Sequence, residues 1–326
     1  MTFRDHPVPP GRPVMRMHWS SLLFAHWPVP VSTLRPLVPS VMDVDTFDGM
    51  AWIGLVPFAM SGVRPNGLPG VPWLSAFPEM NVRTYVRPAG VRGTAEDRPG
   101  VYFFSLDCHQ PIAVTMARTF FHLNYVHAAM AMQVDEDGTV HYSSRRTDRA
   151  APAATFVGRY RSTGTFATPE RGTLDDFLTR RACLYVSDRR GRLMRGEIDH
   201  DPWELASAEW DVDEESALSA AGVSVDGDAP RLAAARPLDV RAWRIRPVTA
   251  PLSPESQRAP VLAGGQMSVS PMTPMTPMTP VPAVQAVPAN GRLAAGGLAN
   301  RGVNRARCPS ETGPAVQKFD VNGVER

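Results

Sequence analysis

Phe77-Pro-Glu-Met-Asn-Val-Arg-Thr-Tyr-Val86 alternates as a β-strand does, with successive side chains on opposite faces. One row is Met80, Val82, Thr84 and Val86, a face suited to a core. The other is Glu79, Asn81, Arg83 and Tyr85. A carboxylate, an amide, a guanidinium and a phenol in one row differ from the like long charges of an ordinary wet surface. Such groups can hydrogen-bond to one another and to an anionic or carbonyl ligand. The competing reading is the solvated side of an antiparallel sheet.

Working outward, strand-like stretches recur at Val101 to Leu106, 124–134, 139–146, 155–161, 183–187, 192–198 and 239–246. Residues 19–27 are apolar, and periodicity leaves strand and short helix both open. Val44 to Phe47, Asp48-Gly49 and Met50 to Val56 read as a hairpin, because Asp-Gly accepts the positive φ angles of a type I′ turn. Helical signals are few. Ser32 could cap a turn within Pro30 to Pro39, Pro111 opens a helix to Phe121, and Thr173 caps a helix whose first turn is acidic. Many strands, few short helices and no run of βαβ units predict a strand-dominated α+β domain, a curled antiparallel sheet or barrel.

Other polar rows follow from the same alternation. Tyr142, Ser144 and Arg146 share one side of His141 to Arg146, and Ser105 and Asp107 share one side of Val101 to Asp107, in line with Phe103. Arg118 sits in an otherwise apolar helix. It is either a surface residue with a packed stem or a pocket residue that needs a carboxylate, for which Glu79 and Asp107 are candidates.

Composition sets the domain limits. Residues 249–326 hold 11 of the 33 Pro, a triplicated Met-Thr-Pro and a single aromatic residue, Phe319, whereas every Trp and Tyr precedes residue 249. The tail has too little large apolar surface to offset chain entropy and reads as disordered. The expected organisation is a flexible N-terminus over 1–13, a folded domain over 14–248 and a low-complexity tail over 249–326. Seven of the 34 basic and four of the 32 acidic residues lie in the tail, so the domain is nearly neutral. It lacks the basic footprint of a nucleic-acid binder. The polar N-terminus and the absence of a long apolar run predict a cytoplasmic protein without a membrane anchor. The eight His and three Cys are not spaced as metal ligands, and no phosphate loop or dinucleotide fingerprint occurs. No cofactor is expected. Lys318 is the single lysine, so the domain has no side-chain amine.

Several ordered segments resemble the YqjF-like family of uncharacterised bacterial proteins, domain of unknown function 2071. They are Trp19 to Pro30, Phe47-Asp-Gly-Met-Ala-Trp52, Val56-Pro-Phe58, Phe77 to Val86 and Gly100 to Asp107. Ala117-Arg118, Tyr142 to Arg146, Leu174 to Tyr185 and Gly196 to Trp203 continue the resemblance, which spans about 14–248. It implies the acetoacetate decarboxylase-like fold, a barrel-like antiparallel sheet around a polar pocket, with the Glu79 and Tyr142 rows facing inward. The chain departs from the family at Arg180-Arg181-Ala182, where members tend to carry Glu-Arg-Tyr, and at Asp199-His200, where they tend to carry two histidines. The departure from the decarboxylase is larger. That reaction runs through a Schiff-base lysine, which arginine cannot replace. Amine-dependent decarboxylation is excluded.

These readings point to a pocket for a small carboxylate or carbonyl compound. Glu79 is the candidate acid/base, and Asn81, Arg83, Tyr85, Asp107, Arg118, Tyr142, Ser144 and Arg146 are the candidate binding residues. Lyase or isomerase chemistry through an enolate needs a base and a cationic stabiliser but no amine. The alternatives are a non-catalytic binding or sensory module with the same pocket, and a structural domain whose polar rows bond to one another. Deleting residues 252–326 is expected to leave the melting temperature of the domain unchanged; a drop of more than a few degrees would show that the tail packs against it.

Overall fold

The computed structural model describes residues 8–248 except 68, 70–74, 189 and 226–228. The tail expected over 249–326 lies outside the described residues, as do residues 1–7 of the N-terminal segment. Strands are β1 (Met15–Ser20), β2 (Leu22–Val29), β3 (Met42–Val44), β4 (Ala51–Pro65), β5 (Phe77–Pro88), β6 (Gly100–Cys108), β7 (Tyr125–Val134) and β8 (Val140–Arg146). They continue with β9 (Thr155–Ser162), β10 (Cys183–Ser187), β11 (Leu193–His200), β12 (Leu205–Glu215), β13 (Arg231–Ala235), β14 (Leu238–Ala242) and β15 (Arg246–Pro247). Short helices are α1 (Val31–Leu34), α2 (Pro111–Phe121), α3 (Leu174–Thr179) and α4 (Ala217–Ala220).

Two long strands each serve two partners on one edge. Along β4, residues 51–55 pair with β2, and 59–65 pair with β1. Between β1 and β2 the chain turns at Ser21, with φ of 50°. Along β6, Val101 pairs with β10, while Leu106 to Cys108 pair with β7. The other edges of β4 and β6 both take β5. The sheet therefore closes twice. One circuit runs β4-β5-β6-β7-β8-β9-β12-β13-β2 and returns to β4; the other runs β4-β5-β6-β10-β11-β14-β1 and returns to β4. The three shared strands form a common wall.

The expected curled, strand-dominated sheet is present, but it is mixed rather than wholly antiparallel. Both ladders on the second edge of β6 are parallel. For β7 the cause is local. Parallel neighbours need a crossover, and α2 provides it between β6 and β7. This helix forms where the sequence predicts it, with Pro111 in its first turn and the Gln110 side chain accepting from the Ile112 amide. Thr173 caps α3 as expected. Ser32 does not cap α1; Pro30 stands at that position without a side-chain bond.

The Asp48-Gly49 turn forms, with φ of 49° and 78° and mutual amide bonds between Phe47 and Met50. Its flanks do not continue as a hairpin. Asp45 donates its amide to the Tyr85 carbonyl, and β3 pairs with β5 rather than with β4. β12 and β13 were not evident from periodicity. The acidic run Asp211 to Glu215 lies on β12, where Asp211 meets Arg159 and Glu209 meets Arg161 across the ladder. These pairs are exposed, and such pairs contribute ~0–1 kcal/mol.

Both faces of the common wall are buried. On one, Met80, Val82, Ile53 and Leu55 pack with Tyr142, Phe156 and Tyr160 across the first circuit. On the other, Phe24, Val56, Phe58 and Cys108 pack with Trp203, while Trp52, Tyr85 and Val101 pack with Leu178 and Phe177 of α3. Each large apolar side chain so buried contributes about 1.5–3 kcal/mol. No helix among the described residues is long and apolar enough to cross a membrane.

Candidate functional site

Register between the wall strands assembles a polar cluster on one face. Glu79 lies opposite Phe58 and Cys108, Asn81 opposite Val56 and Leu106, and Arg83 opposite Gly54 and Phe103. From β2, His26 lies opposite Gly54 as well. A Cβ on Gly54 would fall 2.7 Å from His26 Cδ2 and 3.6 Å from Arg83 Cγ. The glycine thus leaves the space in which His26 and Arg83, on strands either side of β4, share one face.

Tyr85 links these two. Its Oη is 2.5 Å from His26 Nε2 and 3.5 Å from Arg83 Nη2. Burial, then the Arg83 charge, holds the His26 pKa well below the usual imidazole range, so the ring is neutral. With the proton assigned to Nδ1, Tyr85 donates to Nε2 and accepts from Arg83. At the same end, Arg181 donates to Asp45 Oδ2 at 2.7 Å and to the Phe177 carbonyl, with its Cζ 5.1 Å from the Tyr85 ring centroid. Asp45 also accepts from Arg87.

Arg83 itself has no carboxylate within ion-pair distance among the described residues. Its Cζ stacks 5.1 Å from the Phe24 ring centroid. The Arg83 Nε, the Asn81 Oδ1 and the Trp52 Nε1 are buried without a hydrogen-bond partner. Trp52 is one strand over, in the same apolar cluster as Tyr85. An unmet buried polar group costs ~1–3 kcal/mol, and three on one face mark a place that water or a ligand completes.

Glu79 closes the other end of the row. It is 2% exposed and accepts from Tyr125 Oη at 2.7 Å. Burial pushes its pKa up to about 8; the Tyr125 hydrogen bond opposes that rise and the Asp107 charge adds to it. Glu79 is therefore a neutral carboxyl at pH 7.

The remaining candidates are elsewhere. A bulge in β6 shifts the register from Val82 opposite Ser105 to Arg83 opposite Phe103. Phe103 thereby joins the Arg83 face, while Ser105 and Asp107 turn to the other, contrary to the expected alignment of Phe103 with them. There Arg146 Nε donates to both Asp107 oxygens at 3.0 and 2.9 Å, Nη2 to Ser105 Oγ at 2.6 Å and Nη1 to the Pro152 carbonyl. Tyr142 Oη bonds to the Phe58 carbonyl, and Ser144 Oγ is buried without a partner. Arg118 is at the surface, donating to the Tyr125 carbonyl at 2.6 Å and pairing with Asp148. It lines a cavity of about 450 Å³ with His122 and Asp188, and its carboxylate is neither Glu79 nor Asp107. One expected pocket is thus three places: the Glu79–Tyr85 row, the Asp107–Arg146 pair behind it, and Arg118 outside. Glu79 and Arg83 do not compensate each other either, since four residues of strand separate their α-carbons by ~13 Å.

Local sequence pattern does not mark His26, Trp52, Gly54, Tyr125 or Arg181 as members of this cluster. His26 was within reach, because Phe24 and His26 alternate with Leu23 and Ala25 once the segment is read as a strand. The others depend on register, which no local pattern carries.

Comparison with known proteins agrees with the family resemblance. The DUF2071 profile, an uncharacterized conserved protein, matches residues 16–239. The uncharacterized protein YqjF of Bacillus subtilis strain 168 is 41% identical over 239 residues, covering 73% of this chain and 94% of its own. Among solved structures, the enduracididine biosynthesis enzyme MppR complexed with pyruvate superposes with a TM-score of 0.49 at 11% identity, over 73% of this chain and 91% of that one. An acetoacetate decarboxylase-like enzyme from Sphingomonas wittichii RW1 gives 0.48 at 11%, over 75% and 99%.

The state of Glu79 has a measurable sign. Unfolded, the carboxyl ionises near pH 4.5, but folded it keeps its proton to about 8. Between those values the unfolded chain binds fewer protons, so this group makes stability fall as pH rises, by up to about 1.4 kcal/mol per pH unit. Glu79→Gln is expected to remove that decline, gaining on the parent steadily from pH 5 to 8 in urea melts. A difference between the two proteins that does not change with pH would show that Glu79 ionises normally.

Proposed function

The chain belongs to the DUF2071 family of uncharacterized conserved proteins, and from that premise we propose that its domain binds a small carboxylate or carbonyl compound against Arg83. The observation that carries this reading is a guanidinium without a carboxylate partner among the described residues, its own Nε unmet, beside two further buried polar atoms that lack hydrogen bonds, Asn81 Oδ1 and Trp52 Nε1. A carboxylate seated there would accept from Arg83 through two parallel N–H groups. The Trp52 indole would donate to the same ligand, and the Asn81 amide oxygen would accept from a hydroxyl. Among the described residues nothing else on that face neutralises Arg83, because Glu79 is protonated and His26 uncharged.

Within this site Glu79 is the acid/base. A neutral carboxyl with pKa near 8 can give a proton to a carbonyl or enolate near neutral pH and take it back, the balance general acid–base catalysis requires. Arg83 would stabilise the developing oxyanion. That chemistry needs no amine and fits lyase or isomerase reactions. Distance favours a second reading for short ligands. With ~13 Å between the two α-carbons, an acid of two or three carbons held by Arg83 does not reach Glu79, and the site then binds or senses without turnover.

A thermal-shift panel of small carboxylic acids, each paired with its neutral amide, tests the reading. At least one acid is expected to raise the melting temperature saturably, by the equivalent of ~2.7 kcal/mol at a hundredfold excess over Kd. Its amide should do less, and Arg83→Gln should abolish the shift while remaining folded by circular dichroism. Nuclear magnetic resonance of the same mixtures separates turnover from binding. If no acid stabilises the parent, or the variant responds equally, the site at Arg83 is lost.

A further inference from the structure

On the second circuit, Arg16 and His18 of β1 alternate with Met17 and Trp19, which pack into the apolar layer around Phe58 and Trp203. Arg16 therefore faces away from the Arg83 cluster. Its neighbours across the sheet are unusual. Arg64 of β4 is its register partner on one side, and Arg241 of β14 is its partner on the other. Asp199 of β11 follows Arg241 in the same row. Directly opposed residues have Cβ atoms ~4.5–5.5 Å apart, and like charges so placed destabilise a sheet. Across β9 and β12 the same sheet sets Arg159 against Asp211 and Arg161 against Glu209; Arg195 opposite Arg246 is the other arginine pair, and there Arg195 is ion-paired with Glu96.

The row is only partly neutralised. Arg241 pairs with Asp199, and Asp239 bonds to His18 Nδ1 at 2.9 Å. Arg16 donates through Nε to Asn66 Oδ1 at 2.9 Å, and Arg64 through Nη1 to the Gly62 carbonyl at 2.9 Å. Among the described residues neither is ion-paired with a carboxylate.

The backbone holds Arg64 in this position. The β1–β4 register slips between Arg16 and His18, so that Arg64 opposite Arg16 gives way to Ser61 opposite His18. The residues between form a bulge containing Gly62, with φ of 59°, where a Cβ would stand 3.2 Å from Arg64 Nη1. Bulges of this kind re-aim a side chain. The three arginines line a cavity of about 320 Å³.

We propose that this cavity binds a phosphate monoester, with Arg16 and Arg64 holding the phosphate. Two adjacent guanidiniums lacking carboxylates match a dianion with three terminal acceptor oxygens better than a single carboxylate. The cavity is larger than phosphate alone requires. Asp201, the remaining carboxylate of the lining, would repel a second anionic group and accept from hydroxyls, so the rest of the ligand is neutral and hydroxyl-bearing. The site is independent of the Arg83 row.

Glycerol 3-phosphate titrated into the full chain, followed by calorimetry and thermal shift at constant ionic strength, tests the proposal. Saturable binding is expected, weakened at least tenfold by Arg16→Gln and by Arg64→Gln and unchanged by Arg83→Gln. Without phosphate, Arg16→Gln should melt no lower than the parent, because the substitution relieves repulsion. The proposal is overturned if glycerol 3-phosphate does no more than chloride of equal ionic strength, or if Arg16→Gln binds it as the parent does.

Discussion

The pairing of β5 with β4 on one edge and β6 on the other governs the rest of the molecule. Held in the wall between two closed circuits, β5 has no solvated face, so the polar row Glu79, Asn81, Arg83 and Tyr85 cannot be satisfied by bulk water. Each group is answered differently. Tyr85 is paired with His26, Glu79 keeps its proton and takes the Tyr125 hydroxyl, and Arg83 spreads its charge over the Phe24 ring. These arrangements leave Arg83 Nε, Asn81 Oδ1 and Trp52 Nε1 buried without a hydrogen-bond partner.

Among the described residues the buried carboxylates Asp45, Asp107 and Asp199 are paired with arginine, and its fork geometry shows in the networks. Asp45 accepts from both Arg87 and Arg181, so one carboxylate ties β5 to the segment after α3. Arg146 reaches Asp107, Ser105 and Pro152 from a side chain 3% exposed. A lysine ammonium would not span these partners from one position. Removing one member of such a pair leaves an uncompensated buried charge, costing ~3–5 kcal/mol, so these contacts tie the strands together.

Local patterns were a good guide wherever the deciding physics is local. The alternation of 77–86, the Pro111 start of α2 and the Thr173 cap each rest on residues adjacent in sequence. What lay beyond them was set by distant partners. The Ala-rich Arg231 to Ala235 gives no strand alternation, yet it pairs with β2 and β12. The Asp-Gly turn forms, but the Tyr85 carbonyl draws Asp45 to β5. A single bulge sends Ser105 and Asp107 to the face opposite Phe103, so residues legible as one polar set divide between two sides of the wall. Arg118 shows the same limit, since Asp148, thirty residues away, decides its direction.

The shared wall also orders the molecule in time. Either circuit can open at a strand it does not share and leave β4, β5 and β6 still paired. The amides of β5 are therefore expected to meet solvent only when the whole sheet comes apart, in the slowest class of hydrogen exchange among the described residues. The strand that carries the Glu79–Tyr85 row is the one whose backbone is last to meet solvent.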